Sequence, residues 1–211
     1  MGGLLDPIPA SAVHLCVDMQ RIFSSEGPWP TPWMERVLPT ITRIAERFPE
    51  RTVFTRFITP ETPEQAVGRW RAYYDKWRET TRDRLDPRLL DLMPPLAALV
   101  PPARVFDKPV YSAFAGHRLH HHLQERGAGT LIVTGSETDV CVLATVIGAV
   151  DHGYRIILVT DAVCSSSDEG HDSLLKLYRE RYSLQIETSD SETILSLWGM
   201  AEAREREPRV E

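Results

Sequence analysis

The sequence predicts an α/β fold built on a parallel β-sheet, and three observations carry that prediction. Apolar or β-branched runs of strand length alternate with helix-patterned segments six times along the 211 residues, the order expected of a parallel sheet with helices on both faces. The residues capable of chemistry fall just past the ends of those runs, where open α/β sheets place their working site. The composition, 42% hydrophobic and 26% charged, suits a globular chain of one domain that buries a core of substantial size.

The elements follow in order. Val13-His14-Leu15-Cys16-Val17 is short and apolar and stops at Asp18, a first strand. Segment 34–48 places Val37, Ile41, Ile44 and Phe48 on one helical face. Thr52-Val53-Phe54-Thr55-Arg56-Phe57 is β-branched and aromatic, a second strand. Segment 59–102, rich in Arg, Trp, Tyr and Pro, has weak periodicity, with helices predicted within 65–78 and 87–99. It reads as a crossover enlarged by a helical insertion within a single domain, 1–211, serving either as a lid or as a fixed decoration. Arg104-Val105-Phe106 is a third strand ending near Asp107-Lys108, followed by a helix over 119–126 with Gly127 as its stop.

Thr130-Leu131-Ile132-Val133-Thr134-Gly135 is the clearest strand. The helix after it, 139–152, is apolar nearly all round, which predicts burial on several sides. Segment 155–160 is a fifth strand ending at Asp161. Ser166 and Glu169 form a capping-box pattern before a helix over 170–182. Leu184-Gln185-Ile186-Glu187 is a sixth strand, and Ser189 and Glu192 cap a last helix that stops at Gly199. The charged tail, 203–211, is expected to fray.

Several function classes drop out. The net charge is −6 and no basic stripe is concentrated anywhere, so neither nucleic acid nor an anionic membrane is expected as a partner. No apolar run approaches the roughly 20 residues of a membrane helix, and the N-terminus lacks the pattern of a signal peptide. A cytoplasmic location is expected. Three widely spaced cysteines, Cys16, Cys141 and Cys164, form neither a disulfide framework nor a zinc motif. Gly-rich phosphate and dinucleotide fingerprints are missing, and no cofactor is expected.

What remains is the set of reactive groups at strand ends. A carboxylate, an ammonium and a thiol from Asp18, Lys108 and Cys141 are costly to bury singly and can satisfy one another together. Cys141, in the first turn of a helix, would feel the positive end of the dipole, and Lys108 would act in the same direction, so its pKa is expected to fall. Asp18 could then accept and return a proton, and N–H groups of the 135–141 turn could hold an oxyanion. Position alone equally allows Cys141 to be a packed core thiol. Asp161 is expected to orient backbone at a strand end, Cys164 to lie in a Ser-rich loop, and Cys16 to be inert inside its strand.

Four segments, in order, make the chain resemble the isochorismatase-like cysteine hydrolases, the family that also holds nicotinamidases and N-carbamoylsarcosine amidase. They are Cys16-Val17-Asp18-Met19-Gln20, Asp107-Lys108-Pro109-Val110-Tyr111-Ser112-Ala113-Phe114, Thr134-Gly135-Ser136-Glu137-Thr138-Asp139-Val140-Cys141-Val142 and Asp161-Ala162-Val163-Cys164-Ser165-Ser166. The resemblance implies a three-layer α/β/α, Rossmann-like fold whose six strands run in the order 3-2-1-4-5-6. It implies a triad of Asp18 as base and acid, Lys108 as electrostatic partner and Cys141 as nucleophile. It also implies a cis bond between Ser136 and Glu137, an oxyanion hole from the backbone N–H groups of Glu137 and Cys141, and a homo-oligomer, dimer or tetramer. With that order, strand three lies about 10 Å from strand one, so Lys108 would need the 108–116 loop to carry it across the sheet edge, and Tyr111 and Phe114 would travel with it to line a pocket.

One departure is informative. Nicotinamidases bind a metal through an Asp and His residues after the second strand, whereas this chain reads Arg56-Phe57-Ile58-Thr59-Pro60-Glu61. No metal is expected, and nicotinamidase activity is disfavoured. His120, His121 and His122 are adjacent on a helix and diverge, so they read as a solvated face. Trp29, Trp70, Tyr73 and Trp77 could wall a site for a flat small-molecule substrate or simply pack, and Arg56, Arg69 or Arg71 could grip a carboxylate. The expected reaction is cleavage of a C–N bond in a small amide, ureido or carbamoyl compound. Vinyl ether hydrolysis using Asp18 as acid is the alternative within the family, and an inactive binding module on the same fold is the alternative outside it.

Overall fold

The sheet of the computed structural model, which describes residues 4–206, is built from β1 (Val13–Val17), β2 (Thr52–Phe57), β3 (Arg104–Lys108), β4 (Thr130–Ser136), β5 (Arg155–Cys164) and β6 (Ile186–Ser189). All neighbours pair in parallel in the order β3-β2-β1-β4-β5-β6, as the sequence predicts. The order reverses between β1 and β4, so the crevice at their carboxyl ends is where such a sheet opens to a ligand.

Helices cover both faces. On one lie α1 (Met34–Arg47), α3 (Pro94–Ala97) and α7 (Ser191–Arg206), burying Ile41, Ile44, Leu96 and Trp198 in one core. On the other lie α4 (His117–Glu125), α5 (Leu143–Asp151) and α6 (Asp168–Arg181), burying Leu123, Val146 and Tyr178 in a second. The period of two along β1 divides the layers: Val13, Leu15 and Val17 join the second core and Cys16 the first. Buried on both faces, the strands read as continuous apolar runs, which is why they stand out in the sequence.

Gly135 lets β1 and β4 meet. Its φ is +117°, and a Cβ there would lie 2.1 Å from the Val17 carbonyl oxygen. Only glycine permits both, and the two strands whose ends carry Asp18 and the 136–141 turn depend on that contact.

Segment 59–102 contains α2 (Arg69–Lys76). The second helix expected there is instead a 3-10 turn, Pro87–Leu90, and the single turn of α3, because Pro87, Pro94 and Pro95 lack the N–H that a continuous helix requires. This stretch is tied to the loop after β1: the Asp91 carbonyl accepts from the Arg21 N–H, and the Met19 carbonyl from the Met93 N–H, at 3.0 and 2.8 Å.

Other expectations are corrected. The helix after β4 opens with a π-helical turn, Thr138–Val142; in α5 Thr145, Val146 and Ala149 are buried, and Leu143, Ile147 and Val150 are half-buried. Strand β5 continues through Asp161 to Cys164, so Cys164 ends a strand and is not in a loop. The Asp161 carboxylate, within the strand, receives the Ser191 N–H at 2.8 Å and hydroxyl at 2.6 Å, fixing the start of α7. The caps sit one residue late, Ser167 accepting from Gly170 N–H and Asp190 from Thr193 N–H, and β6 starts at Ile186. Finally, α7 passes through Gly199 to Arg206, since Ile194 and Trp198 are fully buried, with Trp198 stacked on Phe48 at 3.8 Å. Tertiary packing outweighs the cost of one helical glycine. Of the tail expected to fray, 207–211 lies outside the described residues.

Candidate active site

Asp18 is the first residue past β1 and is fully buried. Its backbone is left-handed, with φ +49°, a conformation that Asp tolerates better than most residues and that clusters at functional sites. Thr55 on β2 donates its hydroxyl to Asp18 Oδ1 at 2.6 Å. Lys108 ends β3 and pairs in register with Phe57. Its Nζ lies 2.6 Å from Asp18 Oδ2 and 5.2 Å from the centre of the Phe57 ring, and it donates to the Val110 carbonyl at 3.1 Å. The lysine therefore crosses β2 by the length of its own side chain, lying over Phe57; the 108–116 loop is not what delivers it, contrary to the sequence expectation. The contact with Oδ2 is an ion pair by distance, and Oδ2 takes no aligned hydrogen bond among the described residues.

Cys141 lies in the π-helical turn, 6% exposed. The Ser136–Glu137 peptide before it is cis, and the Glu137 carbonyl accepts the N–H groups of Val140 and Val142. Burial pushes the thiol well above the ordinary range, the Asp18 carboxylate adds to that by charge and hydrogen bonding, and Lys108 opposes it. The expected fall is overturned: desolvation and the Asp18 carboxylate outweigh the turn and the ammonium. Burial and Asp18 thus both favour the neutral thiol over the thiolate at Cys141. Cys16 and Cys164 are each pushed up to about 12 by burial.

A cavity of about 440 Å³ opens over Cys141. Trp29, Tyr73, Trp77 and Tyr111 wall it, together with Phe23 and Phe57, while Glu137 and Ser166 supply polar groups. Of the pocket residues expected from sequence, Trp29 and Tyr111 are thus placed at the thiol. Trp70 lines a separate cavity of about 410 Å³ next to Lys108 and meets Tyr111 edge-on at 4.8 Å. Phe114 is buried in the core, packed on His152 and Tyr154 at 5.5 and 5.7 Å, since its loop turns down against α5. Arg56 is held by Asp107 through two hydrogen bonds of 2.8 and 2.9 Å and lines neither cavity, so it is not placed to grip a substrate.

The histidines of α4 diverge. His121 pairs with Glu125, His120 with the Tyr154 hydroxyl, and His122 packs on Phe106. Among the described residues no three His, Cys, Asp or Glu side chains are grouped to hold a metal. The stretch after β2, Ile58-Thr59-Pro60-Glu61, holds no Asp-x-His pair.

Three supporting residues escaped the sequence reading. Thr55 requires the register of β2 against β1 to be noticed. Gln20, inside a quoted segment but given no role, donates to the Phe57 and Leu90 carbonyls and accepts the Phe57 N–H, fixing the loop after β1 to β2. The Glu137 side chain faces the cavity, with its Oε1 accepting from Thr31 Oγ1 and Ser166 N–H at 3.2 Å each.

Comparison with known proteins agrees with this architecture. A family model described as the isochorismatase domain matches residues 12–190. Nicotinamidase 3 of Arabidopsis thaliana is 30% identical over 172 residues, 81% of each chain. An uncharacterized isochorismatase family protein, PncA, of Bacillus subtilis (strain 168) is 40% identical over 80 residues, which span 38% of this chain and 44% of that one. A crystal structure of a cysteine hydrolase from Pseudomonas syringae pv. phaseolicola 1448A superposes with a TM-score of 0.78 at 22% identity, covering 93% of this chain and 96% of that.

Proposed function

The chain belongs to the isochorismatase family and is a hydrolase, and we propose that it cleaves a C–N bond of a small amide, ureido or carbamoyl compound through an acyl-cysteine intermediate. The observation that carries this reading is the buried Lys108–Asp18 ion pair of 2.6 Å acting on the Cys141 thiol at the floor of an aromatic cavity. The relative named as a nicotinamidase is consistent with amide chemistry.

In the proposed cycle the thiol is protonated at rest. Asp18 takes its proton as the sulfur attacks the carbonyl carbon, and the oxyanion is held by the backbone N–H groups of Glu137 and Cys141. Asp18 then returns the proton to the departing nitrogen, the C–N bond breaks and a thioester remains. Water attacks it, giving a proton to Asp18, and the sulfur leaves with that proton restored. Lys108, 2.6 Å from Asp18 Oδ2, supplies the positive counter-charge beside that base.

Intact-protein mass spectrometry after incubation with a panel of small amides and ureides tests this. The expected result is an acyl adduct on Cys141 and no turnover by Cys141→Ala. Turnover that survives in that variant overturns the covalent route and favours ether cleavage by Asp18 alone.

A further inference from the structure

The cavity over Cys141 has a chemical bias that goes beyond the reaction type. Trp29 is the hub of its wall, with ring centroids of Phe23, Tyr73 and Trp77 each 6.0 Å away and Phe57 at 6.2 Å. Within this aromatic surround the charged lining residue is Glu137. Its Oε1 is occupied by Thr31 and Ser166, while Oε2 takes no hydrogen bond and the carboxylate no ion pair among the described residues. No Lys, Arg or His lines the cavity among those residues. The nearby ammoniums are committed elsewhere: Lys108 to Asp18, and Lys76 over the Trp77 ring at 5.4 Å, outside the lining set.

Aromatic faces carry negative charge density and attract cations, most strongly when water is excluded. A carboxylate beside them is matched by a cation, left without a counter-charge by a neutral group, and opposed by an anion. The buried Trp29 Nε1–H, unpartnered among the described residues, is one neutral donor and does not reverse that balance. Resting on the amide-hydrolase reading of this same site, we propose that the substrate is an amide bearing an ammonium group, with its carbonyl at Cys141 and its cation among the rings beside Glu137, and that amides bearing a carboxylate are rejected. The volume of about 440 Å³ limits that substrate to a small molecule.

Titration calorimetry on the Cys141→Ala variant tests the cation preference apart from hydrolysis. Three probes share one shape class: 3-(trimethylammonio)benzamide, its neutral isostere 3-tert-butylbenzamide, and 3-carboxybenzamide. The cation is expected to bind about tenfold tighter than the isostere, the carboxylate weakest of the three, and Glu137→Gln in the same background should shrink the preference for the cation. Quenching of tryptophan emission reads the same ranking on the unsubstituted protein, so the result does not depend on a variant folding. Equal or tighter binding of the neutral or anionic probe, or no binding of any, overturns the proposal. Tight binding of the cation with no hydrolysis by the wild-type chain sustains it and counts against the acyl-cysteine reading alone.

Discussion

The Thr55 hydroxyl donates to Asp18 Oδ1 over 2.6 Å, and the Asp18 N–H donates back to the same Thr55 oxygen over 3.2 Å. One β2 side chain thus fixes both the carboxylate and the left-handed backbone of the residue past β1. Replacing Thr55 by Val keeps the shape and removes both bonds. We expect kcat per folded molecule to fall by a factor on the order of ten to a hundred through misplacement of the base, with a stability loss of about 1–2 kcal/mol. Thr55→Ser should restore most of both. Steady-state kinetics beside urea unfolding separates the two effects, and unchanged kcat would assign Thr55 to stability alone.

Lys108 is 5% exposed and Asp18 is not exposed at all. Lys108→Met strands a carboxylate in the core, which costs on the order of 3–5 kcal/mol. Adding Asp18→Asn removes the stranded charge, so the double variant should regain most of that stability while remaining inactive. A double-mutant cycle of urea unfolding measures this; a double variant no more stable than Lys108→Met would sink the ion-pair account.

The thiol of Cys141 is pushed up by burial first and by Asp18 second. A raised thiol pKa means the protonated form prevails across neutral pH, and thiolate accumulates only in alkali. Iodoacetamide labelling of Cys141 should therefore accelerate with rising pH without levelling off near neutrality. Asp18→Asn removes one of the raising influences, so labelling at about pH 8 should quicken. Peptide mass spectrometry follows the rates, and a plateau below neutral pH contradicts the assignment.

That reversal shows where sequence reasoning stops. The strands and their order are legible because both faces of the sheet are buried, so each strand is an uninterrupted apolar run. Asp18, Lys108 and Cys141 are legible as residues past those runs. Their environment is not: the dipole argument for Cys141 knows nothing of its 6% exposure or of which charge acts on it more strongly. Lys108 reaches Asp18 by lying over Phe57, a relation set by the register of β2 with β3 and absent from any local pattern. Arg56 and Phe114 fail as pocket residues for the same reason, since Asp107 claims the first and α5 covers the second. Helix starts slipped by one residue where consecutive Ser or Asp residues offer competing caps.

His14 is the second residue of β1, fully buried, with its ring nitrogens against Thr52 Oγ1 at 3.2 Å and Thr134 Oγ1 at 2.8 Å. Burial lowers its pKa from 6.5 to about 3. The folded state thus refuses a proton that the unfolded chain accepts below pH 6.5. The unfolded state binds more protons in that window, so stability rises with pH there and is lost as the pH falls from 6.5 toward 3. At about pH 5 this one group should withdraw about 2 kcal/mol relative to neutral pH. His14→Gln cannot titrate, so it should be less sensitive to that change even if less stable at neutral pH. Urea unfolding of both proteins at the two pH values gives the difference, and parallel losses in the two would show that the acid sensitivity comes from the carboxylates instead.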